Sequence, residues 1–185
     1  MSGGAAAPAV LAVRDATAAD MALLQAIYAH HVRHGLASFE ELPPDRAEMD
    51  RRREEAQGRG LPYLVVETAD GVQGFASAGP YRSRPAYRFT VEDSVYVAPG
   101  AAGRGLGRAA LGAVIERCTA LGLRQMVAVI GDSANAASIG LHRALWFVPT
   151  GTLRSVGFKH GRWVDSVLMQ RPLGPGDAAP PIAKV

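Results

Sequence analysis

The chain has one cysteine, Cys118, in 185 residues. That excludes an internal disulfide framework and any multi-cysteine metal site. Lysine is nearly absent, and the basic residues are mostly arginines spread along the chain rather than gathered into a patch. Aromatics reach only 6% and are not interleaved with the basic residues, so no nucleic-acid partner is expected. No apolar run approaches a bilayer span, and no basic stretch leads into an apolar one at the N-terminus. Neither a membrane association nor a secretory signal is therefore expected, and the chain reads as cytoplasmic. His30, His31 and His34 lie close together, but adjacent side chains diverge on a helix. No carboxylate stands at a zincin spacing from them, so no metal is expected.

What is present is an ordinary globular balance of 48% apolar and 20% charged residues, with a formal net charge of +3. The length suits one domain with a proper core. Residues 1–9 are Ala, Gly, Ser and Pro, and Gly174 to Val185 carries three prolines. Both ends read as flexible tails around a domain at 10–173. Within it, Val10–Arg14 reads as a strand. Thr17-Ala-Ala-Asp20 resembles a capping box for a helix running to His34, with Leu24, Ile27, Tyr28 and His31 along one stripe. Asp45 to Gln57 reads as a second, highly charged helix, followed by strands at Tyr63–Glu67 and Val72–Ala78 about an Asp70-Gly71 turn. Thr90–Val97 is the clearest strand, with Val91, Asp93, Val95 and Val97 alternating with Glu92, Ser94 and Tyr96. A helix to Leu121, a strand at Gln125–Ile130, a helix at Asn135–Leu145 and strands at Thr150–Val156 and Trp163–Met169 complete a mixed α/β (α+β) order of six to seven strands.

The segment after the clearest strand carries the chemistry. Gly103, Gly105 and Gly107 fill a loop that opens directly into a helix. Glycines permit close backbone approach, and helix N-terminal amides then point at an anion, here two consecutive phosphates. Three glycines are weak evidence alone. A P-loop needs Lys-Ser/Thr after its last glycine, and Arg108-Ala109 stands there instead. A Rossmann fingerprint needs Gly-x-Gly-x-x-Gly after the first strand, whereas this Gly-x-Gly-x-Gly lies deep in the chain.

Ala102-Gly-Arg-Gly-Leu-Gly107 is similar to the pyrophosphate loop of GNAT acetyltransferases, with Ala102 where Gln or Arg is usual. The resemblance narrows to the phosphinothricin and methionine sulfoximine N-acetyltransferases over Val13–Leu173. Its segments are Ala37-Ser-Phe-Glu40, Tyr81-Arg-Ser-Arg-Pro-Ala-Tyr87, Thr90–Val97, Asn135-Ala-Ala-Ser-Ile-Gly-Leu-His142 and Gly157-Phe-Lys-His-Gly-Arg-Trp163. Trp146 replaces the glycine that normally ends the helix before Phe147.

This resemblance implies a GNAT fold, a mixed twisted sheet with helices on both faces, and direct acetyl transfer from acetyl-CoA to a small-molecule amine. Val95, Tyr96 and Val97, Gly103 to Arg108 (with Arg104, Gly105, Leu106 and Gly107), Asn135 and Ser138 are implied on the acetyl-CoA side. Arg82, Ser83, Arg84, Glu92, Asp93, Ser94 and Phe39 are implied around the acceptor. From the residues alone Glu92 is open between a base and a strand-face ion pair, and the resemblance points to the base. His142 stands where many relatives place a tyrosine that protonates the departing thiolate, and a surface helix histidine is the alternative. Arg82 and Arg84 suit an acceptor carboxylate or phosphinyl group, with solvated loop charge as the alternative. Cys118 reads as a small core residue. Trp163 and the terminal strands read equally as a homodimer surface or as sheet core. The rivals are a GNAT enzyme acting on protein N-termini or lysines, and a non-catalytic acyl-CoA sensor.

Overall fold

The computed structural model describes residues 12–181. A seven-stranded mixed sheet organises them in the order β1-β2-β3-β4-β5-β7-β6. Its strands are β1 (Ala12–Asp15), β2 (Tyr63–Thr68), β3 (Gly71–Pro80), β4 (Thr90–Val97), β5 (Gln125–Gly131), β6 (Val148–Lys159) and β7 (Arg162–Pro172). Every neighbouring pair is antiparallel except β4 with β5. The helices are α1 (Met21–His34), α2 (Arg46–Gly58), α3 (Leu106–Ala120) and α4 (Ala136–Ala144).

Period-two alternation divides the interior into two cores. Tyr63 and Val65 of β2 and Phe75 of β3 pack with Leu24, Ile27, Tyr28 and Val32 of α1 and with Met49 of α2. Leu64 and Val66 of β2, with Val91 of β4, meet Leu111, Val114, Ile115 and Cys118 of α3 on the other face. Cys118 is a buried free thiol in that second core, as its mid-helix position implied. The expected architecture, a mixed sheet of six to seven strands with helices on both faces, is present with seven strands.

Three local expectations change. The first helix begins at Met21, a turn later than the capping box implied. Asp20 does reach back to the Thr17 amide (2.7 Å), but the same carboxylate is gripped by the Arg14 fork at 2.8 Å and makes no cap bond. The last two strands run well past Thr150–Val156 and Trp163–Met169. A two-residue turn at His160-Gly161 (φ 50° and 73°) joins Lys159 directly to Arg162, the positive-φ pair that a tight hairpin needs. Trp163 is not core packing, since it is 64% exposed. Val10 and Leu11 of the expected first strand, the segment 1–9 and residues 182–185 lie outside the described residues. Residues 174–181 run as turns, with Arg124 donating to the Pro180 carbonyl (2.9 Å).

Trp146 takes up the left-handed conformation that the usual glycine would supply, at φ +66°. Its amide bonds to the Arg143 carbonyl (3.0 Å) and its ring is 79% exposed. The helix end therefore keeps its shape, at the steric expense of a large side chain in that region.

Candidate active site

The sheet opens at β4. Its parallel pairing with β5 stops after Glu92 opposite Val127. From there β5 follows β7 as far as Gly131, while β4 stays with β3 as far as Val97. The β5-facing edge of Asp93–Val97 thus has no strand partner, and its backbone groups face a cleft of about 420 Å³. Ser94, Val95 and Tyr96 form one wall and Ala128–Gly131 the other, closed by Ser138 and His142 of α4 and by the Ala37–Glu40 loop. A second cavity of about 340 Å³ lies between the sheet and α1 and α2, lined among others by Arg52, Arg59, Tyr63 and Phe75. Tyr28, Glu92, Ser94 and Tyr96 line both cavities.

Alternation along β4 separates two sets of side chains. Glu92 lies half-exposed at the junction, its Oε2 3.8 Å from Nη1 of Arg82. That spacing is too long for a hydrogen bond, so the ion-pair alternative is only a loose surface pairing. Burial pushes the Glu92 carboxyl above the usual carboxylate range, opposed by Arg82 and assisted by neighbouring Asp93. Asp93 turns the other way. Its Oδ2 accepts from Nε2 of His142 (3.0 Å), both side chains are almost wholly buried, and its Oδ1 has no hydrogen-bond partner among the described residues. Nδ1 of His142 meets the Ser138 carbonyl at 2.7 Å, and the ring packs edge-on to Phe147. Acceptors at both nitrogens favour the doubly protonated ring. Burial alone would lower the His142 pKa, but Asp93 and the Ser138 carbonyl outweigh it and raise the value.

The loop after β4 has the form of an anion cradle. Gly103 and Gly105 are left-handed (φ 78° and 79°), and a Cβ on either would meet nothing within 4 Å. Gly105 caps α3 without a side-chain bond, and the first turn of α3 carries no acid. Its free amides are thereby left for a ligand. Gly107 is there for packing, since a Cβ would press Leu141 at 3.2 Å. These dimensions suit the two-phosphate cofactor expected from the glycine spacing.

The sequence pattern of the acetyltransferase (GNAT) family matches residues 24–147. The chain belongs to the GNAT family. It is 56% identical over 162 residues to the phosphinothricin N-acetyltransferase of Alcaligenes faecalis, a match covering 88% of this chain and 82% of that protein. It is 45% identical over 169 residues to the L-methionine sulfoximine/L-methionine sulfone acetyltransferase of Pseudomonas aeruginosa PAO1, covering 91% and 98% respectively. A solved phosphinothricin acetyltransferase from Sinorhizobium meliloti, in complex with AcCoA, superposes with a TM-score of 0.91 at 49% identity, covering 95% of each chain.

Within this GNAT chain the expected site residues fall into distinct groups. Glu92, Ser94, Val95, Tyr96, Ser138, His142 and Phe39 line the split cleft together. Asp93 also borders it, but its carboxylate is committed to His142 rather than offered beside Glu92. Asn135, expected on the cofactor side, caps α4, its side chain accepting from the Ser138 amide at 3.1 Å. Arg82 stacks on Tyr81 (4.2 Å) next to Glu92. Ser83 and Arg84 lie apart from both cavities, in a shallow surface hollow with Arg59 and Arg88. Arg104 sits loosely opposite Asp70 at 3.8 Å, and Arg108 is exposed on α3. Sequence reasoning gave no role to Ser38, Glu40 or Ser166 in the cleft, nor to His31, whose Nε2 lies 2.8 Å from the Val97 carbonyl. Gly131 and Gly157, glycines inside strands, were the available signal, because they mark close approach by the 36–40 loop.

Proposed function

We propose that the protein transfers the acetyl group of acetyl-CoA to the amine of a small amino-acid analogue such as phosphinothricin or methionine sulfoximine. Acetyl-CoA is the co-substrate. The observation that carries the reading is Glu92 at the junction of two cavities, one running along an unpaired strand edge toward the glycine cradle and one facing α1 and α2. The amine nitrogen attacks the thioester carbonyl, the C–N bond forms as the C–S bond breaks, and Glu92 accepts the proton of the amine. A raised carboxyl pKa suits that task, because a general base works best when its proton affinity approaches the working pH. Backbone amides of Val95–Val97 polarise the carbonyl. The Gly103–Arg108 turn holds the pyrophosphate. His142 protonates the departing sulfur by releasing the proton that it now shares with Asp93. Direct transfer is favoured over an acyl-cysteine route because Cys118 is buried, its thiol pushed up to about 12 by burial first and Asp93 second.

Phe39, Ser94 and Arg82 receive the acceptor, with Arg82 the cation beside Glu92 and with Ser83 and Arg84 in the neighbouring hollow rather than against it. We further read the protein as a cytoplasmic homodimer. Leu153, Val156, Phe158 and Trp163 are each at least half exposed on the β6–β7 hairpin, an apolar face of the sort that a second copy covers. Among the described residues no helix is long and apolar enough to cross a membrane.

A thiol-release assay across phosphinothricin, methionine sulfoximine, polyamines and peptides tests the reading. Turnover should be confined to the amino-acid analogues and fall about a hundredfold in kcat in Glu92→Gln, with acetyl-CoA binding retained. Preference for peptides would restore the protein-acetylating alternative. Binding of acetyl-CoA without any turnover would restore the sensor.

A further inference from the structure

Lys159, the only lysine among the described residues, ends β6 with just 3% of its surface exposed. An ammonium withdrawn from water is tolerated only when it is hydrogen-bonded. Its bond runs from Nζ to the carbonyl of Ser38 (2.7 Å), 121 positions away. The charges of Glu40 and Glu41 support the ammonium, although burial dominates and lowers its pKa.

Ser38 belongs to a loop whose shape comes from outside. Among the described residues, Leu36–Glu40 makes no backbone–backbone hydrogen bond. It is gripped instead by other elements. Tyr28 Oη lies 2.9 Å from Ser38 Oγ, and Nη1 of Arg52 donates to Glu40 at 2.8 Å. Gly131 admits the backbone so closely that a Cβ there would fall 2.1 Å from the Leu36 carbonyl oxygen. A Cβ on Gly157, two residues before Lys159, would strike the Phe39 ring at 2.5 Å. Ser38, Phe39 and Glu40 all face the split cleft.

We propose that Lys159 is a positioning residue for acceptor recognition, fixing the Leu36–Glu40 loop so that Phe39 forms a wall that fits a small amino-acid analogue and turns away bulkier amines. This rests on the acceptor reading above. Lys159 reaches the acceptor only through the loop, and the bond it contributes is the sole described hydrogen bond between the terminal hairpin and that loop.

The test uses full-length Lys159→Met, which keeps the stem and removes the donor, beside Gly157→Ala, which crowds Phe39 and leaves the lysine intact. Loss of a charge-assisted hydrogen bond should raise the acceptor KM about tenfold or more in Lys159→Met. The acetyl-CoA KM should stay within about twofold, and the preference for a small over a bulky amine should narrow. Gly157→Ala should raise the acceptor KM in the same direction by displacing Phe39, and if Lys159→Met does not fold, Lys159→Gln, which keeps a polar stem but neither the charge nor the reach, takes its place. Amide hydrogen exchange at Leu36–Glu40 supplies a readout independent of turnover and should quicken in Lys159→Met. Unchanged exchange, an unchanged acceptor KM, or equal losses for acceptor and acetyl-CoA would overturn the proposal. Faster exchange in a protein whose parent form acetylates none of the analogues would leave the clasp standing and sink the acceptor reading instead.

Discussion

The two sides of the cleft are built differently. On the β5 side of β4 the ligand surface is mostly main chain: an unpaired strand edge, two left-handed glycines and the open first turn of α3, all within Asp93–Arg108. On the α1–α2 side it is mostly side chains, drawn from α1, α2, β3 and β4. A main-chain site depends on one contiguous run of sequence, and the loop keeps its left-handed glycines with Ala102 where Gln or Arg is usual. A side-chain site depends on several distant elements meeting correctly, and it is where relatives of one fold can differ in acceptor. The buried Asp93–His142 pair is the seam that joins β4 to α4 on the first of these sides.

Breaking that seam should have the largest effect. His142→Ala would strand a buried carboxylate, and the folded state should lose about 3–5 kcal/mol as measured by denaturant unfolding. The parent carries a matching pH signature. Because the folded pKa of His142 is raised, its contribution is fully present below the unfolded value of about 6.5 and is lost as pH rises through the folded value. The variant should lack that alkaline fall in stability. A variant as stable as the parent would mean that the pair belongs to the chemistry alone.

Next comes the main-chain side. Gly105→Val places a branched residue at φ +79°, which costs about 1–2 kcal/mol, so acetyl-CoA affinity should weaken roughly tenfold in calorimetry. The acceptor KM should hardly move. A folded variant with unchanged affinity would remove the cradle from the cofactor site and dissolve the contrast.

The smallest effect belongs to the side-chain rim. Arg82 lowers the raised pKa of Glu92, so Arg82→Ala should shift the acid limb of kcat/KM further upward, because Glu92 must be deprotonated to act. Both groups are partly exposed, so the shift should shrink in added salt. An unmoved limb would separate Glu92 from the proton transfer or Arg82 from Glu92.

The main-chain side was legible in the sequence because its signals are local. Glycine spacing, the alternation of Thr90–Val97 and the helix that follows need no knowledge of distant contacts, and the resemblance of these and neighbouring segments to GNAT acetyltransferases implied the correct fold and family. The strand set and both helix faces also followed from periodicity. The orientation of Asp93 was implicit in that alternation, but its partner was not, since His142 lies 49 positions away on another element. Asn135 has a residue type that serves caps and ligand contacts alike, and the cap that it makes to Ser138 is visible only in the helix geometry.

By itself, then, the sequence determined the order of elements, the cradle, the family and the carboxylate on the strand that meets it. Tertiary structure alone decided at which residue β4 and β5 part, that His142 gives both ring nitrogens to acceptors, and that a buried lysine from the last hairpin clasps the loop walling the cleft. The reason is range. Helix periods, turns and glycine nests are written in neighbouring residues. A desolvated charge and its partner can stand most of the chain apart, as Lys159 and Ser38 do, and only packing brings them together.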